Sequence, residues 1–213
     1  MEELFLVIGI GAGLDYGFRR SWDYPSWDRT LTKITATLAI LIWAILIGAP
    51  SAVVLALGFS VFGDYSGSRG ALNWLVLSAT AFFIVHAIYM IEYLALVNRS
   101  LLEAGPSIIL GTASTSLLIV ACWRAFAARW LASVIYSVVM MLQFSLGQMV
   151  GGDATIIAYT TCLFFISAMM LALELFLLPE HSPMRRLTSP LIWLTYLAAQ
   201  VFTAIALTEL TPR

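Results

Sequence analysis

Charge is what this sequence has least of. Only 11% of its 213 residues are Asp, Glu, Lys or Arg, under half of the quarter or so that soluble domains carry. Lysine is nearly missing: Lys33 stands alone against ten arginines. No lysine lies in the later apolar runs, which excludes a retinal-type Schiff base there. Two cysteines, Cys122 and Cys162, both in apolar segments, make neither a disulfide framework nor a metal motif. Two histidines, one of them in an apolar run, exclude a bis-histidine haem pair and a multi-histidine zinc site. An aspartate-rich diphosphate–magnesium motif is absent, as is a Ser/His protease context, so neither a metal nor a cofactor is expected. The basic residues are few and scattered, which excludes nucleic acid as a partner. Glu2 and Glu3 precede the first apolar run where a signal peptide would be basic. No long polar segment could fold separately, so residues 1–213 read as one domain.

What is present is apolar. Hydrophobic residues make up 61% of the chain and the mean hydropathy is +0.94. Several runs approach the length of a bilayer crossing, without the alternation of a β-barrel. These features predict an all-α polytopic bundle of transmembrane helices, integral to the membrane and surrounded by its lipids. The runs are Leu4–Phe18, Ile34–Phe62, Leu72–Val97, Pro106–Trp123, Trp130–Val150, Thr155–Leu178 and Leu187–Leu207, which gives seven spans. The first holds Gly9, Gly11 and Gly13, whose spacing suits close helix packing rather than a dinucleotide fingerprint. The segment after it, with Trp22, Tyr24 and Trp27, reads as interfacial. Ser26 or Asp28 is placed to cap the next helix. Asp64–Gly70 and Asn98–Gly105 read as loops, with Pro106 opening a helix and Arg124 and Arg129 flanking a tight turn.

Ile34–Phe62 is interrupted by Gly48-Ala49-Pro50. A single crossing leaves Arg and Lys nearly balanced across the membrane. A hairpin at Pro50 gathers Arg69, Arg124, Arg129, Arg185 and Arg186 on the side of Arg19, Arg20, Arg29 and Lys33, as the positive-inside rule favours. Ser51–Phe62 is short for a crossing, so a short or re-entrant helix after Pro50 is the alternative to seven full spans.

Ionisable groups in apolar helices are costly and mark candidate chemistry. His86, Tyr89 and Glu92, three apart, form one oblique stripe on Leu72–Val97. A carboxyl in an apolar pocket stays protonated and can donate. Glu92, His86, Glu174 and Asp15 are therefore the candidate catalytic groups. Trp43, Tyr89, Tyr93, Tyr136 and Tyr196 supply aromatic faces inside the runs. Tyr136–Gln143 and Tyr196–Gln200–Thr203 are polar stripes able to line a cavity, although interhelical hydrogen bonding is the leading explanation of both. The composition suits an intramembrane enzyme that protonates a lipophilic small molecule such as an alkene or epoxide, because aromatic rings stabilise cations. It equally suits a proton-coupled transporter or channel using Glu92 and Glu174, or an accessory membrane subunit.

Four scraps carry a resemblance: Trp43 with Pro50-Ser51 downstream, His86 six before Glu92, Gly105-Pro106-Ser107, and Ser189-Pro190-Leu191. With these the chain resembles the integral-membrane terpene cyclases of meroterpenoid pathways. The resemblance implies a seven-helix lyase or isomerase that cyclises a prenyl-type substrate by carboxyl protonation. That family's Trp-Glu pair reads Trp43-Ala44 here and its late aspartate is missing from Leu187–Leu207, so the resemblance implies an acid moved to Glu92 or Glu174.

Overall fold

A computed structural model describes residues 2–122, 130–179 and 181–210, with the side chains of 121–133 and of residue 153 aside. Arg124 and Arg129 lie outside the described residues. Among those described there are eight α-helices and no strand. They are α1 (Glu2–Asp15), α2 (Trp27–Leu46), α3 (Ser51–Gly67), α4 (Leu72–Leu94), α5 (Leu101–Cys122), α6 (Trp130–Gln148), α7 (Ile156–Phe176) and α8 (Arg185–Leu210). A π-helical turn, Tyr16–Arg20, extends α1, and a 3-10 turn, Gly152–Ala154, precedes α7. Five helices are long and apolar enough to cross a membrane: α2, α4, α5 as far as Val120, α7 and α8. The all-α expectation holds, but seven such helices are not found among the described residues.

The difference begins at Pro50. Ile34–Phe62 is not one helix; it adopts the hairpin alternative. Ala49 N–H reaches Ala44 O at 2.9 Å and Gly48 N–H reaches Ile45 O at 3.1 Å. This pair of bonds is a Schellman ending, which needs a left-handed residue, and Gly48 supplies it with φ +74°. Pro50 follows, and α3 then runs back along α2. With 17 residues, α3 spans about 25 Å, short of the hydrocarbon thickness.

Helix starts are likewise set by local chemistry. Ser26 caps α2, its Oγ accepting from Arg29 N–H at 3.1 Å, as its position suggested. The start of α5 corrects the sequence reading. Ser100 and Glu103 form a capping box: Glu103 Oε2 accepts from Ser100 N–H at 2.7 Å, and Ser100 Oγ accepts from Glu103 N–H at 3.4 Å. The helix therefore begins at Leu101, and Pro106 lies inside it rather than opening it.

The chain forms two compact units. One contains the described residues up to Tyr89 and those from Gln200 on; the other is Met90–Ala199. In the first unit, α1 packs on α2 through Gly9. A Cβ there would stand 2.9 Å from Ile40 Cγ1 and 3.2 Å from Ala36 O, as the small-residue reading anticipated. Gly9→Val is expected to cost about 1–3 kcal/mol by overpacking, read from detergent-solubilised thermal unfolding, while Gly11→Val, facing open space, changes little.

In the second unit, α5, α6 and α7 interlock. Gly111 accepts the Phe144 ring, Gly147 accepts Thr161, and Phe144 meets Phe165 at 4.8 Å between ring centres. Asn98 pairs with Gly151 through both amide ends, at 2.7 and 3.0 Å, tying the loop after α4 to the loop after α6.

Candidate functional site

The hairpin brings together two groups that the sequence reading left outside the apolar runs. Lys33 lies fifteen residues before Gly48 and Asp64 fifteen after Ala49. Antiparallel pairing about that turn sets them opposite one another. Lys33 Nζ stands 3.0 Å from Asp64 Oδ1, with the aspartate side chain 1% exposed and the lysine 16%. Asp64 belongs to α3, which continues to Gly67, so the expected Asp64–Gly70 loop is corrected.

The surroundings of the pair are ordered. Tyr16, at the end of the first helical segment, is buried and holds its ring 5.7 Å from Lys33 Nζ and 5.7 Å from the Arg29 guanidinium. Arg29 donates to the carbonyls of Arg20 (3.2 Å), Ser21 (3.3 Å) and Ser68 (3.5 Å). It thereby closes two C-terminal ends that offer unsatisfied carbonyls. Outside this layer lie aromatics: Arg69 stacks on Trp27 at 4.2 Å, and Tyr65 meets Trp74 edge-on at 5.6 Å.

One turn from Asp64 along α3, Ser60 begins a second polar group. Tyr89 Oη donates to Gln200 Oε1 at 2.6 Å, Gln200 Nε2 donates to Ser60 Oγ at 2.8 Å, and Ser60 Oγ donates to Ala56 O at 3.0 Å. Ser60 gives its one proton to Ala56 O and so can only accept from the amide nitrogen, which turns the amide oxygen toward Tyr89. His86, one turn before Tyr89, and Thr203, one turn after Gln200, are buried as well. In the first unit, then, a buried ion pair and a directed hydrogen-bond chain occupy successive turns of α3.

The residues singled out by sequence separate. Tyr89 and Gln200 are brought into direct contact, with His86 beside them on α4. Trp43 is buried in the core of the first unit. Asp15 lies on its surface, bonded to Arg19 (3.3 Å) and Arg20 (3.1 Å). Glu92 belongs to the second unit, half-buried, and makes no hydrogen bond or ion pair among the described residues. Tyr93 is fully buried there, and Tyr136 is half-buried. Gln143 is fully buried with neither amide end bonded among the described residues. Tyr196 packs with Trp193 at 5.4 Å and Phe164 at 6.4 Å.

Glu174, 8% exposed, is surrounded by donors. Thr188 Oγ1 reaches Oε2 at 2.5 Å, Ser189 Oγ reaches both oxygens at 2.9 Å, and Arg185 Nη1 reaches Oε1 at 3.5 Å. Its carboxylate joins the end of α7 to the first turn of α8, where a helix N-terminus favours negative charge.

These features define an all-α protein with membrane-length helices and a charged pair buried in a helical hairpin. The chain matches the YhhN family model over residues 28–207, and it belongs to that family. Lys33, Asp64, Tyr89 and Gln200 all fall within the match. No curated protein and no solved structure is matched. The family match overturns the terpene cyclase resemblance, for which no family model is found. The shared scraps have an ordinary origin: Pro106 and Pro190 sit inside the early turns of α5 and α8, and His86 and Glu92 fall in different units.

Proposed function

We propose that this protein is a multi-pass membrane enzyme that carries out acid–base chemistry on a lipophilic substrate, with Asp64 as the proton-exchanging carboxyl and Lys33 as its partner. The observation that supports this reading most is the 3.0 Å Lys33–Asp64 pair, buried among apolar helices. An ion pair in such surroundings costs several kcal/mol of desolvation per ion and is retained where its charges are used. Lys33 lies in the second turn of α2, roughly 9 Å along the axis from Trp27. The aromatic and arginine residues around that end suit a membrane interface. A lipophilic molecule with its reactive group near the headgroups and its tail in hydrocarbon would meet the pair at that depth. The positive-inside rule supports placing the open end of the hairpin, with these arginines, on the cytoplasmic side.

In this reading Asp64 takes or returns a proton, and Lys33 holds the compensating charge within hydrogen-bond reach. Ser60, Gln200 and Tyr89 fix the face of α3 that carries Asp64.

The test uses solvent deuterium. Purified protein in lipid nanodiscs, incubated in D2O with a total membrane lipid extract, is expected to place deuterium at carbon in one lipid class, followed by mass spectrometry. Asp64→Asn is expected to slow that uptake by about 10²-fold or more. Unchanged lipids, together with solute-driven proton flux in liposomes, would replace this reading with transport; unchanged lipids and no flux would favour an accessory subunit.

A further inference from the structure

Two cations stand on one face of α2, one turn apart. Arg29 and Lys33 are four residues apart, a spacing at which like charges repel. The hairpin gives each a partner on the α3 side, again one turn apart: Lys33 meets Asp64 at 3.0 Å, and Arg29 meets the carbonyl of Ser68 at 3.5 Å. Chemistry alone favours the opposite allocation. An arginine fork matches a carboxylate better than an ammonium does, because it bonds in two directions. Yet the arginine is held on carbonyls and the carboxylate goes to the lysine.

Tyr16 touches both cations. Its ring lies 5.7 Å from Lys33 Nζ and 5.7 Å from the Arg29 guanidinium, and the residue is 3% exposed. The antiparallel register of α1 on α2 puts it there. Gly9 meets Ala36 and Ile40; seven residues further along the chain, Tyr16 meets Arg29 and Lys33, each seven residues earlier on α2. Gly9, Gly13 and Tyr16 follow one another at helical spacing, and both glycines are buried. They let the backbones approach, so the bulky group that follows them lands on the cations. The π-helical turn Tyr16–Arg20 then widens the helix, a deformation frequent at functional sites. With it, Asp15 holds both Arg19 at 3.3 Å and Arg20 at 3.1 Å, and the carbonyls of Arg20 and Ser21 face the Arg29 side chain.

We propose that Tyr16 is a positioning residue of the Lys33–Asp64 site: its ring keeps Arg29 on the backbone carbonyls and Lys33 on Asp64, and so reserves the carboxyl for the lysine. This rests on the reading of that pair as the reacting one. Lys33 acts throughout as the charged ammonium. A buried ring attracts a cation strongly, and one ring equally near both offsets the repulsion that their spacing creates. The allocation matters to a proton-exchanging carboxyl. A guanidinium fork would engage both of its oxygens with a group that never loses its proton, whereas the ammonium meets Oδ1 as a point charge.

The experiment is NMR of full-length protein in lipid nanodiscs, with [15Nζ]lysine reporting Lys33, run beside the deuterium-uptake assay. In the wild type the ammonium protons are expected to show a cross-peak to a tyrosine ring that Tyr16→Phe removes. Tyr16→Leu is expected to speed ammonium exchange with water at least about tenfold and to slow deuterium uptake by at least about tenfold. Tyr16→Phe, which restores the ring, is expected to recover both to within about threefold of wild type. Adding Arg29→Gln to Tyr16→Leu removes the competing fork and is expected to return the slow exchange, which a loss of packing alone would not do. Where Tyr16→Leu fails to fold, the wild-type cross-peak decides. An absent cross-peak, a Tyr16→Leu ammonium as slow as wild type, a Tyr16→Phe as fast as Tyr16→Leu, or a double variant as fast as Tyr16→Leu overturns the proposal. If the NMR results come out as expected in a protein that labels no lipid, Tyr16 sorts the two cations and the acid–base reading is wrong. If deuterium uptake depends on Asp64 but not on Tyr16, the acid–base reading stands and the role of Tyr16 is wrong.

Discussion

Asp64→Ala is expected to lose about 3–5 kcal/mol of stability, because it leaves the Lys33 ammonium buried without its counter-charge. The loss comes from the orphaned lysine more than from any strength in the bond. The double variant Lys33→Met, Asp64→Leu is therefore expected to recover most of it, since an apolar pair of similar volume fills the same space without desolvating a charge. Stability near wild type in the double variant, with no deuterium uptake, would separate what the pair does from what the fold needs. Denaturant unfolding in mild detergent, run on both single variants and the double, gives the coupling directly. A loss below about 1 kcal/mol in Asp64→Ala would place the pair in the range of exposed salt bridges and contradict its burial.

Glu174→Ala is expected to be the next most costly, at about 3 kcal/mol, in the upper range for hydrogen bonds to a charged group. Its carboxylate receives the hydroxyls of Thr188 and Ser189 and one nitrogen of Arg185. Arg185 also donates to the carbonyls of Glu174, Leu178 and Pro179, so the guanidinium stays partly bonded and the loss stops short of a fully orphaned charge. Glu174→Gln keeps the shape and one acceptor oxygen and is expected to cost about half as much. Equal losses in the two variants would mean that the negative charge contributes nothing at the start of α8. In this account Glu174 secures a helix junction, so its variants are expected to act on stability and to spare the chemistry at Asp64.

The two carboxyls show what sequence reasoning reaches and what it misses. Glu174 stood out because it sits inside an apolar run, towards its end, where any charge is conspicuous. Asp64 did not, because Gly63, Tyr65, Ser66 and Gly67 around it resemble a loop, yet the helix continues through them. The missing link was the hairpin. The sequence carried both a charge count favouring it and the Gly48–Pro50 break, but the length of Ser51–Phe62 argued the other way. Moving the end of the helix from Phe62 to Gly67 removes much of that objection. Once the turn is placed at Gly48-Ala49, the equal spacing of Lys33 and Asp64 from it makes their pairing legible.

Other elements were readable from local chemistry alone. Gly9 on the α1–α2 contact and Ser26 at the start of α2 follow from residue type and position. The Ser100–Glu103 capping box is written as plainly, but Pro106 drew the helix start too far along. The Tyr89–Gln200 contact is different in kind: it joins residues 111 apart, and no periodicity within either helix contains it.

The account depends most on Lys33 Nζ lying beside Asp64 and away from bulk water. Because Lys33 is the only lysine, [15Nζ]lysine labelling gives a single side-chain ammonium signal in NMR of the protein in nanodiscs. The structure predicts ammonium protons that exchange slowly with water and a resonance that moves when Asp64 is replaced by Asn. Rapid exchange with water, and a resonance indifferent to Asp64→Asn, would contradict the buried pair and the chemistry assigned to it.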